Sequence, residues 1–461
     1  MSEYKLTVGL EIHVELETKT KMFCGCLNEP FESAPNTNVC PVCYGLPGAL
    51  PLINKEAVKM VIRLGRAINA TIPEKTQWER KNYFYPDLPK GYQISQSVAP
   101  LIQGGVITIN GVDHHLDHAH LEEDAGKLMH APDKSHSMVN YNRAGVPLLE
   151  IVTKPDFHSA EDVKAFCQEL QRIMRSLKIS SADMEKGRMR CEANISVKKV
   201  EELNPGELRS LTKVLGTKVE VKNINSFRGI ERAVKYEFDR QYRALENGDK
   251  LFQETRTWND DQGKTISMRV KETGADYRYF PEPDLPVVDL SSFVDEGTHL
   301  LPDEQRKMLA KLEIHNEAIQ AIIDKDGFEM VMELGRENAQ LAREAAKVFL
   351  AVPEFSQLPK DQQKQLIEKK EELGLTSTRT KEIIIEALKS GTEISKLLEQ
   401  SDSIDLAAIV DQVITDFPKE VAQYKDGKEV LFNFLVGQVM AKTKGQANIA
   451  QVRELLQNQL S

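Results

Sequence analysis

The sequence has no long apolar run and no excess of basic residues. No window approaches the ~20 consecutive apolar residues of a membrane-spanning helix, and the first residues lack the apolar stretch of a secretory signal. The formal net charge is −10, so a nucleic-acid partner would have to bind a local basic surface. We therefore predict a cytoplasmic protein that has no membrane partner.

Three common catalytic motifs are also missing. The Gly-Lys pairs at Gly126, Gly263 and Gly427 lack the upstream glycine of a Walker A loop, and the chain has no G-x-S-x-G elbow and no H-E-x-x-H motif. If the protein handles a nucleotide, it does so in another way.

Cysteine is scarce, and four of the six cysteines lie close together in the sequence. A reducing compartment argues against a disulfide framework. A C-x-C pair and a C-x₂-C pair, separated by thirteen residues, resemble a two-knuckle zinc site that would be closed and structural. Unrelated buried thiols are the alternative. The predicted zinc ligands are Cys24, Cys26, Cys40 and Cys43.

The pattern of the chain changes near residue 290. From Tyr4 to about Leu290 it is rich in strand signals with embedded helices, and the prolines of "PEPDLP" interrupt any helix at the end of this region. Helical periodicity dominates the remainder. We predict an α+β domain at 1–292, an all-helical domain at 293–404 and a small helical tail at 405–461.

The segment "GLEIHVELE" predicts a half-buried strand with a polar edge. Apolar residues alternate strictly with polar ones, and Glu11 and His13 fall on the same side. Neighbours on one face lie roughly 6.6–6.8 Å apart, so long side chains there can converge on one ion. A solvated outer face is the alternative interpretation.

Three further segments place polar residues where a core would not favour them. They are "HLEEDAGK", "NYNRAGVPLLEIVT" with Arg143 at its turn, and "GRMRCEANISV" with Arg190 on one strand face. A buried carboxylate within an apolar run, such as Glu150, costs several kcal/mol unless it is paired or metal-bound. Together the candidates form an oxygen-rich set with one imidazole that suits Mg²⁺ better than Zn²⁺: Glu11, His13, Glu123 and Glu150.

The alternative for each of these residues is an exposed carboxylate or an ordinary salt bridge. The neighbouring histidines match no standard ligand spacing, and we interpret them as strand-surface residues. They are His114, His115, His118 and His120.

Two stretches interleave basic and aromatic residues in loops. Such loops supply charge for phosphates and ring faces for bases, whereas a solvated loop with buried tyrosines is the alternative. The predicted nucleotide-binding residues are Lys90, Tyr92, Arg269, Lys271 and Arg278.

Several ordered segments resemble one known family, the B subunits of the tRNA-dependent amidotransferases that act on aspartyl- and glutamyl-tRNA. The resemblance runs almost end to end. It rests on the segments "GLEIHVEL", "NYFYPDLPKGYQISQ", "HLEEDAGK", "NRAGVPLLEIVT", "MRCEANISV", "KNINSF", "ETRTW", "ADYRYFPEPDLP" and "FLVGQVMAKTKGQAN".

The resemblance implies a mixed-sheet cradle domain, a helical domain and a YqeY-like tail. It also implies that the chain binds mischarged Glu-tRNA(Gln) or Asp-tRNA(Asn) and phosphorylates the side-chain carboxylate with ATP. Ammonia from an amidase-type A subunit then displaces the phosphate, and a small C subunit completes the heterotrimer. By the same resemblance, the four predicted Mg²⁺ ligands belong to the kinase site, with Arg143 and Arg190 as supporting cations.

Two positions depart from the family's pattern. Asn140 stands where an acid is usual, and an amide is a weaker Mg²⁺ ligand than a carboxylate. Glu192 stands where Asp is common. Two other functions stay open: a non-catalytic tRNA-binding scaffold, and a metal-dependent hydrolase that would act without tRNA. Which of the two tRNAs is the substrate does not follow from the sequence.

Overall fold

The chain combines a mixed sheet with a separate set of helices. It divides into two units, Met1–Pro302 and Asp303–Ser461. The first contains the strands and three of the described helices, and the second is helical, which confirms the α+β fold class. The computed structural model describes residues 4–133, 135–199, 215–270, 277–293, 299–401, 406–443, 447 and 449–460.

The strands of the first unit range from two to twelve residues in length. In chain order they are β1 (Tyr4–Glu15), β2 (Lys75–Thr76), β3 (Glu79–Asn82), β4 (Tyr92–Ser95), β5 (Ile102–Gln103), β6 (Val106–Ile109), β7 (Val112–Glu123), β8 (Lys127–His130), β9 (Ser137–Asn140), β10 (Pro147–Thr153), β11 (Met189–Lys199), β12 (Val219–Ile224), β13 (Glu254–Asn259), β14 (Lys264–Val270), β15 (Phe280–Pro281) and β16 (Val288–Asp289).

Among the described residues, nine strands form the central sheet. Its order is β14-β13-β12-β11-β1-β10-β7-β5, and β6 pairs with β7. The β12–β13 pair is parallel and the other pairs are antiparallel, so the sheet is mixed. Smaller sheets join β15-β3-β4, β16-β2 and β8-β9.

The predicted alternation of β1 is confirmed, and it decides which face of the sheet is core. Val8, Leu10 and Ile12 are fully buried in the main hydrophobic core, to which the three helices described in this unit all contribute. These are α1 (Lys55–Ala67), α2 (Ala160–Ser176) and α3 (Phe227–Glu246). The N-terminus of each is capped by the side chain of the preceding asparagine or serine. The other face of the sheet is left for polar side chains.

The second unit contains two separate hydrophobic cores, at residues 309–398 and 410–460. The sequence-based boundaries at 292 and 404 stay predictions. Within the described ranges, no helix is both long and apolar enough to cross a membrane. The helices are α4 (Pro302–Ala310), α5 (Asn316–Asp324), α6 (Phe328–Gly335), α7 (Ala339–Ala351), α8 (Lys360–Glu372), α9 (Ser377–Ser390), α10 (Ile394–Ser401), α11 (Leu406–Asp416), α12 (Pro418–Lys425), α13 (Val430–Lys442) and α14 (Ile449–Leu460), with a 3₁₀ turn at Pro353–Gln357.

Candidate functional site

A row of acids and imidazoles crosses the polar face of the central sheet. His13 on β1 is paired in register with Glu150 on β10, and Glu150 is paired with His120 on β7. Because directly paired residues share a face, and residues two apart on a strand do as well, the row extends over five neighbouring strands. We call it the acidic ribbon; its members are His120, Glu122, Glu150, His13, Glu11, Glu192 and Glu220.

Glu150 lies at the centre of the first half of the acidic ribbon. Its Oε2 atom is 3.3 Å from Nε2 of His13 and 3.4 Å from Nε2 of His120. Glu150 is 8% exposed, and Glu122 from β7 completes the group. Two sets of possible metal ligands therefore share the Glu150 carboxylate, and a third set is joined to one of them through Glu11.

The charges in this group stabilise one another. Burial alone would raise the pKa of Glu150, but the hydrogen bonds from His120 and His13 hold that pKa well below its usual range. Burial opposes protonation of His120, yet its bonds to Glu122 and Glu150 raise the pKa of the imidazole to about 9. The pKa of His13 is likewise raised against its burial by Glu150. In the absence of an ion, the imidazolium groups and the Lys81 ammonium group, 3.8 Å from Glu122, thus supply the positive charge that these carboxylates need.

The second half of the acidic ribbon lies on β1, β11 and β12. Glu11 is paired in register with Glu192, and both have ligand atoms close to Glu220. Burial and the nearby carboxylates of Glu150 and Glu192 raise the pKa of Glu11. Lys222 supplies a cation here, with Nζ 2.6 Å from Glu192 and 3.2 Å from Glu220.

The ligand spacing suits a small hard cation. Within each group of three, the possible ligand atoms lie within 4.8 Å of one another: Glu11, His13 and Glu150; His120, Glu122 and Glu150; Glu11, Glu192 and Glu220. Two ligands of one Mg²⁺ are at most about 4.2 Å apart, so small side-chain rotations bring each group to bonding distance.

Glu123 lies apart from this group although its neighbour Glu122 belongs to it. Its carboxylate accepts a hydrogen bond of 2.6 Å from Nζ of Lys90 and another of 2.9 Å from the backbone amide of Ile94. Successive residues of a strand point to opposite faces. Of the four predicted Mg²⁺ ligands, the structure therefore brings Glu11, His13 and Glu150 together and does not bring Glu123 to them.

Arg143 and Arg190 share one carboxylate. Asp124 accepts a hydrogen bond of 2.7 Å from Arg190, and its Oδ2 is 3.6 Å from Nε of Arg143. Burial would raise the pKa of Asp124, but the two guanidinium groups lower it. Arg190 is paired in register with His13, which places this cationic group beside the acidic ribbon. Nearby, burial and the Asp124 charge raise the pKa of Glu15 to about 7.

Of the predicted nucleotide-binding residues, the structure brings Lys90 and Tyr92 together and places Arg269 elsewhere, in the central sheet. Lys90 binds Glu123, and the ring of Tyr92 lies under the Arg80 guanidinium. Arg269 is on β14, six strands from β7 in the sheet, or about 29 Å at the usual strand spacing. Arg278 is exposed in the segment before β15, and Lys271 lies outside the described residues.

A small cavity of about 240 Å³ lies on the same sheet face, close to Glu11 and Glu192. Gly9 and Asn194, each two residues from one of these acids, are paired across β1 and β11. The Oδ1 atom of Asn194 is buried without a hydrogen-bond partner in the described structure. The cavity lining is mostly small or polar: Thr7, Gly9, Leu10, Val152, Thr153, Pro155, Asn194, Ser196, Leu215, Gly216 and Lys218.

The four clustered cysteines meet in space. The Sγ atom of Cys43 is 3.5 Å from those of Cys24 and Cys40 and 3.6 Å from that of Cys26, and no disulfide joins them. Tetrahedral zinc with Zn–S bonds of 2.3 Å separates its sulfurs by about 3.8 Å. The hydrogen bond from Cys24 and the nearby Lys21 cation lower the pKa of Cys43 to about 4. The thiols thus fit a closed metal centre.

His120, Glu122 and Glu220 were missed as site residues by sequence reasoning. The periodicity of β7 carries a usable signal, because His120 and Glu122 are two residues apart and therefore share a face. Glu220 was not detectable in this way, since its place beside Glu192 depends on the pairing of β11 with β12.

Comparison with known proteins gives the family. The model described as "GatB/GatE catalytic domain" matches residues 6–295, and the one described as "GatB domain" matches residues 338–460. The B subunit of the aspartyl/glutamyl-tRNA(Asn/Gln) amidotransferase of Thermomicrobium roseum is 40% identical over 99% of both chains. The protein of the same name from Crocosphaera subtropica is 37% identical over 100% of this chain and 98% of its own.

A plant relative matches over nearly the whole chain as well. The chloroplastic/mitochondrial B subunit of the glutamyl-tRNA(Gln) amidotransferase of Oryza sativa subsp. japonica is 38% identical over 99% of this chain and 88% of its own. These matches agree with the resemblance seen in the sequence motifs. The chain belongs to the family of B subunits of the aspartyl/glutamyl-tRNA(Asn/Gln) amidotransferases.

Proposed function

We propose that this chain uses ATP and Mg²⁺ to phosphorylate the side-chain carboxylate of Glu-tRNA(Gln) or Asp-tRNA(Asn), and that ammonia then converts the acyl phosphate to the amide. The observation that supports this most strongly is the acidic ribbon, in which Glu11, His13 and Glu150 offer ligand atoms within 4.8 Å of one another. The names of the relatives support the tRNA substrates and the amide transfer.

The chemistry requires activation of the acid. A free carboxylate resists attack by ammonia because oxide is a poor leaving group, whereas phosphate leaves readily. Attack of the carboxylate on the γ-phosphorus releases ADP, and ammonia then displaces phosphate and loses a proton. When bound, Mg²⁺ would neutralise charge on the transferred phosphoryl group. Arg143 and Arg190 would add positive charge beside it.

The small cavity beside Glu11 is the proposed site of the nucleotide base. Small residues such as Gly9 leave room there, and Asn194 adds an amide side chain to the cavity lining. The cavity lies on the same sheet face as the acidic ribbon, and its lining residues Gly9 and Asn194 are two residues from Glu11 and Glu192. Lys218 at the cavity wall would supply a cation for the nucleotide phosphates.

The proposed function also includes partner subunits and a structural metal at the thiol centre. An amidase-type A subunit would supply ammonia from glutamine, and a small C subunit would complete the heterotrimer; the word "subunit" in the relatives' names supports such an assembly. The four thiols would hold a structural Zn²⁺. We place the complex in the cytoplasm, where aminoacyl-tRNA is used.

The test is ADP formation by the heterotrimer with and without Glu-tRNA(Gln). We expect turnover to depend on the mischarged tRNA and to fall about 100-fold or more in Glu150→Gln, because the ion loses a shared ligand. Glu161→Gln, an exposed acid on α2, is the matched control. ADP formation that survives in Glu150→Gln would favour a tRNA-binding scaffold, and turnover without tRNA would favour a hydrolase.

A further inference from the structure

The cysteine-bearing segment is hydrogen-bonded to the turn that carries Arg143. We call residues 24–43 the Cys loop and residues 139–145 the arginine turn. The side chain of Asn36 donates to the carbonyl of Val139 at 2.9 Å and accepts from the amide of Tyr141 at 2.7 Å. One asparagine thus satisfies backbone groups at the start of the arginine turn, as a neighbouring strand would.

Asn142 makes the second connection and is completely buried. Its Oδ1 accepts a hydrogen bond of 3.1 Å from the amide of Asn38, and its Nδ2 donates to the carbonyls of Ser33 at 3.2 Å and Ala34 at 2.8 Å. Every one of these partners belongs to the Cys loop. A buried amide that loses its hydrogen-bond partners destabilises the folded protein. The hydrogen bonds of Asn142 therefore tie the conformation of the arginine turn to that of the Cys loop.

Lys21 links the thiols to the same turn. It is 0% exposed, its Nζ donates to the carbonyls of Asn38 at 2.9 Å and Tyr141 at 3.4 Å, and the same atom is 3.7 Å from Sγ of Cys43. A divalent metal with four thiolates carries net negative charge. A buried ammonium group at this distance offsets that charge, which gives Lys21 a reason to be inside the protein.

On its other side, the arginine turn contacts the end of β7. Arg143 donates to the carbonyls of Ala125 at 3.0 Å and Gly126 at 2.8 Å, and it lies beside Asp124. Asp124 in turn binds Arg190. Contacts therefore run without a break from the thiols to the arginine pair that borders the acidic ribbon.

We infer that the metal-loaded Cys loop holds Arg143 in place, with Asn142 as the positioning residue and Lys21 as the counter-charge of the thiolate centre. The catalytic role of Arg143 rests on the proposed function, but the hydrogen-bonded link between the Cys loop and the arginine turn does not. The arrangement also gives Asn140 a role, since its Oδ1 accepts from the amides of Asn142 at 2.9 Å and Asn36 at 3.3 Å. An amide oxygen serves there as well as a carboxylate would.

The test compares zinc-loaded and chelator-treated heterotrimer by amide hydrogen exchange and zinc content, with ADP formation as a separate readout. The variants are Asn142→Ala and, since a fully buried site can be sensitive to truncation, the exposed Asn36→Ala. Asn28→Ala is the matched control, because Asn28 lies in the same loop but donates to Leu16 and Thr18 rather than to the arginine turn.

We expect zinc removal, Asn142→Ala and Asn36→Ala to raise exchange about tenfold or more at residues 139–145, with Asn28→Ala leaving those amides unchanged. Asn142→Ala and Asn36→Ala should both keep their zinc. Exchange that rises after zinc removal at residues 22–45 alone would overturn the inference. If the turn loosens but ADP formation is unchanged, the link stands and the catalytic role proposed for Arg143 fails.

Discussion

Nε2 of His13 and Oε2 of Glu150 lie 3.3 Å apart at paired positions of β1 and β10. On β1 the alternation leaves His13 on the face opposite the core, whereas Glu150 on β10 lies within an apolar run. Because Glu150 also contacts His120, the two imidazoles share one carboxylate. A divalent cation bound here would be held directly by the carboxylate and imidazole atoms. These bonds would take the place of the attraction between imidazolium and carboxylate.

Cation binding should depend on Glu150 and not on Glu123. We expect Glu150→Gln to weaken Mn²⁺ affinity about tenfold or more, because it removes the carboxylate that two ligand groups share. Glu123→Gln should leave the affinity nearly unchanged, since Glu123 binds Lys90 and Ile94 instead. Electron paramagnetic resonance of free Mn²⁺ measures both. Equal losses in the two variants would contradict the geometry described here.

The thiol centre should hold one zinc per chain. Cys26→Ser should lose the metal and unfold at a lower temperature, because zinc binding contributes to the stability of the Cys loop. Cys167→Ala is the matched control: Cys167 is buried in the main core on α2, and its removal should leave zinc content unchanged. Elemental analysis measures the zinc content of both variants. Zinc retained in Cys26→Ser would exclude the four-thiolate centre.

Asp156 should stabilise the first unit at neutral pH. Burial would raise its pKa, but the nearby His114 imidazole and the hydrogen bond from His115 lower it below the ordinary value. A depressed carboxyl pKa contributes stability that is present above about pH 3.9 and is lost as pH falls through the folded-state pKa. Asp156→Asn should therefore cost about 1 kcal/mol at pH 7 and less near pH 3.

Denaturant unfolding followed by tryptophan fluorescence measures that difference, since both tryptophans, Trp78 and Trp258, lie in the first unit. A deficit of the same size at both pH values would show that the carboxylate charge is not responsible.

Local patterns in the sequence were sufficient for the elements but not for their arrangement. The alternation of β1 and the Ser159 cap of α2 both follow from neighbouring residues, and both are present. The parallel pairing of β12 with β13 could not be predicted, because strand order depends on contacts between distant segments. The side-by-side position of Glu192 and Glu220 has the same origin.

Two adjacent acids of β7 have different surroundings, which their shared motif does not predict. Glu122 and Glu123 belong to one motif, yet they face opposite sides of β7, so the resemblance alone does not distinguish them. For the interleaved basic and aromatic residues, the sequence likewise did not distinguish ligand contacts from internal contacts. Arg80 on β3 makes two hydrogen bonds to Glu282, at 2.7 and 2.8 Å, and stacks on Tyr92 of the paired strand β4. This part of the predicted loop is therefore two strands, held by internal contacts that no local pattern reveals.

The most direct measurement uses Glu-tRNA(Gln) labelled with ¹⁸O in the side-chain carboxylate. If the heterotrimer makes an acyl phosphate, the carboxylate oxygen that bonds to phosphorus leaves with it when ammonia attacks the carbonyl carbon. Mass spectrometry should then find one ¹⁸O atom in each inorganic phosphate released, and no such phosphate in Glu150→Gln. Amide product formed with unlabelled phosphate would contradict the account.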